Sequence, residues 1–187
     1  MPITQDFFDE FYDDIDKMGI RLFDNIQKMG TAIEGFSETQ LVRLARELDF
    51  FNELQEMGFN TSFENLMEGY DKEAEGILKD MQKIVRARTA GAGADILLST
   101  ANTERIANQL EILRDLDGEV MLGQFKVETA KLKSELMRGI IAGEPAGVVG
   151  KRLRAEWTNA DGVPTLIGSR ARMIARDSFG QFSQTST

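Results

Sequence analysis

Apolar side chains recur along this chain at intervals of three and four. Phe11, Ile15, Met18, Leu22, Ile26 and Met29 stand at steps of 4, 3, 4, 4 and 3, which lines them up on one face of a helix. This predicts a first helix from Phe7 to about Met29, broken by Gly30 and Gly35. Ser37-Glu38-Thr39-Gln40 has the pattern of a capping box, in which a hydroxyl and a carboxamide satisfy exposed N–H groups at a helix start. Leu41, Leu44, Leu48, Phe51 and Leu54 follow, predicting one second helix that stops near Gly58.

Thr61-Ser62-Phe63-Glu64 offers another capping box ahead of the most regular series, which begins at Phe63 and runs through Leu66, Tyr70, Ile77, Met81 and Ile84. A helix from Ser62 to Arg88 would reach about 40 Å at 1.5 Å per residue, with Gly91-Ala92-Gly93 as a flexible joint after it. Ile106, Leu110, Leu113, Leu116, Val120, Val127, Ala130, Leu136 and Ile140 predict one very long helix, with Gly118 and Gly123 as points of bending or interruption.

The last fifth of the chain is helix punctuation. Gly143 is free to take a left-handed cap, and Pro145 is preset for a first helical position, so a short basic helix runs to about Trp157. Asn159, Gly162 and Pro164 make a loop, and Ser169 caps a last helix with Ala171, Ile174, Ala175, Phe179 and Phe182 at helical spacing. The polar tail from Ser183 is expected to fray. The expected fold is all-α and elongated: long helices, two short C-terminal helices and no substantial sheet.

Charge divides the chain. Of a net −9, residues 1–80 contribute −12 and residues 81–187 contribute +3, so we distinguish an acidic helical region, 1–90, from a region 91–187 holding the long helix and the C-terminal helices. The acids Asp6, Asp9, Glu10, Asp13, Asp14 and Asp16 could suggest a hard-cation site. The preferred reading is a helix N-terminus whose dipole they complement, since no calcium-loop glycine interrupts them. The methionine and phenylalanine stripes read as core or partner-helix contacts rather than a cofactor pocket.

The chain has no cysteine and no histidine. Disulfides, thiolate and imidazole metal sites, and Ser-His or Cys-His nucleophile pairs are thereby excluded, and we expect no enzyme and no cofactor. Gly150-Lys151 superficially suggests a phosphate-binding loop, but Pro145 stands where its first glycine belongs and Arg152 where a Ser or Thr should hold magnesium. Met1-Pro2-Ile3-Thr4 leads straight into acids, so no signal peptide is expected, and no apolar run reaches the roughly 20 residues of a membrane span. The basic residues Lys151, Arg152 and Arg154 on one short helix and Arg170, Arg172 and Arg176 on the next form a candidate contact for a partner's carboxylates or for phosphate, with the protein partner preferred over DNA.

Gly143-Glu144-Pro145 with its short helix, a loop, and then Arg170-Ala171-Arg172-Met173-Ile174-Ala175-Arg176-Asp177 followed by Gly180 resembles the head-morphogenesis domain of tailed-phage minor head proteins, the Mu F-like family. The resemblance covers residues 118 to 182, with Ile174, Ala175, Arg176, Asp177 and Gly180 as its motif core. Asp177-Ser178 stands where the family commonly has Thr-Glu, and the family's usual C-terminal part is missing, so the chain is expected to be a natural short form or a fragment. The resemblance implies a structural virion component, made in the host cytoplasm and present in several copies, that docks on the portal protein and other head proteins during capsid assembly; local contact with packaged DNA is a second expectation, from the basic C-terminal helices. The alternative is a non-viral helical adaptor or a nucleic-acid-contacting protein using the basic C-terminal helices.

Overall fold

The computed structural model describes residues 3–89 and 93–158, with side chains over 6–84, 86–87 and 102–158. Among them are six helices and no strand: α1 (Ile3–Ala32), α2 (Glu38–Glu47), α3 (Phe50–Glu56), α4 (Phe59–Thr89), α5 (Gly93–Ile141) and α6 (Ala146–Glu156). The all-α expectation is met. The final helix expected after Ser169 lies outside the described residues.

One core runs through the bundle and takes residues from both the acidic region and the region after it. The predicted α1 stripe is buried from Phe11 to Ile26, but α1 also buries Phe8, Tyr12 and Phe23. The wider stripe follows from two neighbours, because α4 covers the first half of α1 and α6 the second. Phe11 meets the rings of Phe59, Phe63 and Phe125 at centroid distances of 6.4, 6.4 and 5.9 Å. Such tilted and edge-on pairs add about 0.5–1.5 kcal/mol each beyond their buried area.

Several boundaries differ from the sequence expectations. Gly30 does not break α1; it lies inside it, where a Cβ would stand 3.0 Å from the Gly147 nitrogen, so its missing side chain lets α1 and α6 approach. The expected second helix is two helices. Ser37 does form its capping box with Gln40, but Leu48 turns extended, and Asp49 caps a new helix by accepting the Asn52 N–H at 3.0 Å. That turn drives Phe50 and Leu54 into the core, while α2 buries nothing fully.

Thr61 and Ser62 do not cap α4, which starts earlier, at Phe59. The Ser62 hydroxyl instead donates to Asp14 on α1 at 3.0 Å. Gly93 belongs to α5 rather than to a joint, and residues 90–92 lie outside the described residues.

α5 is unbroken over 49 residues, about 74 Å at 1.5 Å per residue. Neither Gly118 nor Gly123 interrupts it; Gly118 faces α4, where a Cβ would meet the Met67 sulfur at 3.2 Å. At its end, Gly143 at φ +89 takes the left-handed cap. Its N–H donates to the Ile140 carbonyl and that of Glu144 to Gly139, the paired bonds of a Schellman motif. Pro145 sits one position before the first helical residue, as the N-cap of α6.

Candidate functional site

Helix α6 carries the described half of the basic cluster. Val149, Gly150 and Leu153 are buried, packing the helix into the angle between α1 and α5. Gly139 of α5 faces Val149 so closely that a Cβ would lie 2.7 Å from a methyl, and Trp157 stands 6.4 Å from the Phe23 ring. Leu153 holds the helix in one rotation, which sends the cations at 151, 152 and 154 to different surroundings.

Two of those three cations are already engaged. Arg154 donates to Asp24 of α1 at 2.8 Å, and Arg152 pairs with Glu144 and reaches Glu156 at 3.9 Å. Lys151 is exposed. A groove of about 350 Å³ beside Arg152 is lined by Glu135, Glu144 and Glu156 as well as Arg138, so its acids offset its bases and it is a poor anion site. Arg170, Arg172, Arg176 and the motif core Ile174, Ala175, Asp177 and Gly180 lie outside the described residues.

Further polar contacts bind helix to helix. The Tyr70 hydroxyl on α4 donates to Asp117 on α5 at 3.3 Å. Burial, and then the neighbouring Asp117 charge, hold the phenol far above its ordinary range, so it stays protonated. Burial also raises the Asp117 carboxyl, against the opposing effect of the Tyr70 hydrogen bond. Glu53 is raised in the same sense, by burial and then by Glu56 and Asp49. Arg114 lies 2.7 Å from Asp71 of α4 and 3.1 Å from Asp115 on its own helix.

The acidic start of α1 is a solvent face: Asp6, Asp9, Glu10 and Asp13 are exposed. Among the described residues no group of three or more Asp or Glu side chains is placed to hold a metal ion, and no helix is long and apolar enough to cross a membrane.

The feature that sequence reasoning did not single out is the outward face of α5. The apolar series that predicted α5 joins two of its faces: Leu116, Val120, Val127 and Ala130 are exposed, whereas Leu110, Gly118, Met121, Phe125, Thr129, Leu132 and Leu136 are buried. Both series have helical spacing, so periodicity alone could not choose between them. The signal in favour of the observed face was Phe125, the one aromatic residue of α5.

Ile112, Leu116, Val120, Val127 and Ile141 are consequently between 52% and 71% exposed. At about 100° per residue they fall within one arc of about 80°, together with Gly123, Ala130, Ser134 and, at its edge, the exposed Arg138. Beside this seam, a groove of about 390 Å³ between α3 and α5 is lined by Arg46, Lys126 and Lys133, with one acid, Asp49, over Leu48, Phe50 and Phe51. Lys126 sits 5.6 Å from the Phe51 ring centroid. Compared with protein-family models, with curated proteins and with solved structures, the chain matches none.

Proposed function

We propose that this chain is a non-enzymatic docking subunit and, on the resemblance of its C-terminal text, a structural minor head protein of a tailed phage that joins the portal during capsid assembly. The observation that carries the docking reading is the seam on α5, where Ile112, Leu116, Val120 and Val127 line about 22 Å of one face, with Ile141 further along, and each is more than half open to water. Apolar area left contiguous in water favours association. The absence of histidine and cysteine supports a role in binding rather than catalysis.

Contact with packaged DNA receives less support, because Arg152 and Arg154 are held by carboxylates of the same chain. Phosphate affinity grows with the number of cations that can displace counterions, and on α6 that leaves Lys151.

Co-expression with the cognate portal protein tests the reading, followed by mass spectrometry of intact virions. The expected result is a complex that co-purifies and survives moderate salt, since an apolar interface does not weaken steeply with ionic strength. A chain that ignores portal and is missing from particles would instead be a non-viral adaptor. A duplex-DNA complex lost steeply with rising salt would move the assignment to nucleic-acid contact.

A further inference from the structure

The seam on α5 has an order along its length that names an occupant. Its positions Leu116, Val120, Gly123, Val127, Ala130 and Ser134 advance by 4, 3, 4, 3 and 4, the heptad spacing of a helix pair. Leu116, Val120 and Val127 are its bulky residues, Ala130 and Ser134 are small, and the smallest, Gly123, sits between Val120 and Val127, where nothing lies within 4 Å of its position for a side chain. A second helix can approach closest there.

The charges flanking the seam are ordered too. On one flank, Asp115 and Glu119 precede the centre, and Lys126 and Lys133 follow it; Asp115, Glu119 and Lys126 are exposed and Lys133 is half-buried. Set parallel and in register, each helix would turn this flank toward the partner's opposite flank, so its acids and its bases would not meet. Set antiparallel about Gly123, they place Asp115 and Glu119 of each copy beside Lys133 and Lys126 of the other. In antiparallel pairs like flanks meet, so the complementarity is between the chain and itself.

We propose that a second copy of this chain docks antiparallel on α5, seam against seam, around a two-fold axis near Gly123. This rests on the docking reading and specifies the partner of that face. The groove lined by Arg46, Lys126 and Lys133 against the single acid Asp49 lies on the same flank and, basic on balance, receives the acidic half of the opposing helix. About Gly123 the seam overlaps its two-fold image from Ile112 to Ser134, a strip about 33 Å long and about 10 Å wide that gives roughly 330 Å² per copy, below the roughly 800 Å² of a standard interface. The dimer is therefore weak and reversible.

Sedimentation of the full chain over a concentration series should show a monomer–dimer equilibrium. Val127→Glu should shift its midpoint at least about tenfold upward by placing a charge in the seam. Glu119→Lys alone and Lys126→Glu alone should each weaken it, and the double variant should restore it. The chain has no native cysteine, so orientation can be read by mixing Leu116→Cys and Ala130→Cys variants of different tag length, each shown by circular dichroism to stay folded. Mixed 116–130 disulfides are expected.

A chain monomeric up to about 1 mM, the weak end of the affinity scale, overturns the pairing, as does a dimer indifferent to Val127→Glu. So do cross-links confined to like positions, or a double charge variant no better than the singles. Failure here and failure of the docking reading are separable: a monomer that still co-purifies with portal overturns the self-pairing alone, and a dimer that ignores portal leaves the pairing and removes the portal.

Discussion

Gly139 and Gly76 are both helical glycines, and the structure gives them opposite meanings. A Cβ on Gly139 would stand 2.7 and 2.8 Å from the two methyls of Val149, whereas nothing lies within 4 Å of the corresponding point at Gly76. Val149 is β-branched and stiff, so Gly139→Ala should cost roughly 1–2 kcal/mol net, as overpacking outweighs the gain in helix propensity. Gly76→Ala should stabilise by up to about 1 kcal/mol. Denaturant midpoints at constant m-value would check both, and two changes of the same sign would contradict the packing of α6 on α5.

Asp117 gives a pH dependence at the same scale. Its carboxyl is raised in the folded protein by burial, so the folded state binds the proton more tightly than the unfolded chain. The associated stability is full below the ordinary carboxylate pKa and lost as pH rises through the folded-state value. Asp117→Asn keeps an acceptor for the Tyr70 hydroxyl and removes the charge. The variant should melt higher than the wild type at about pH 7 and show a smaller gain at about pH 3.5; an equal gain at both would refute the assignment.

At the scale of elements, helix ends were legible where the cap is local. Ser37 with Gln40, and Gly143 after Ile141, depend on residues within a few positions, and the structure keeps both. Gly143→Ala should cost about 1–2 kcal/mol, since a side chain at φ +89 is strained, with the loss appearing first in the docking of α6. A far-ultraviolet melt should register it, and an unchanged melting temperature would mean that α6 holds without the turn. The Leu48–Asp49 break was not legible, because Leu41 to Leu54 keeps an unbroken apolar period and only the demand that Phe50 and Leu54 reach the core makes Asp49 a cap. Thr61-Ser62 shows the reverse: a local cap signal was overruled by Asp14, a residue 48 positions away.

At the scale of the molecule, α1, α4, α5 and α6 share a single core, so the acidic and basic regions should unfold together. Trp157, the only tryptophan, sits against Phe23 where α1 meets α6, and its fluorescence reports that corner while circular dichroism reports all helices. The two thermal transitions should coincide; separate midpoints would divide the core.

What the sequence determined by itself was the class of the fold and the chemistry it cannot perform. Three-and-four periodicity makes helices whatever they pack against, and a chain without histidine or cysteine lacks their reactions in any conformation. The tertiary structure decided which side of α5 meets the bundle and which charges stay open. Both are comparisons between surfaces: Phe125 inside against Val127 outside, and Arg154 committed to Asp24, 130 positions away, beside an exposed Lys151. Spacing along one strand of sequence is equal for competing helix faces, and only the shape and charge of the neighbouring helices break the tie.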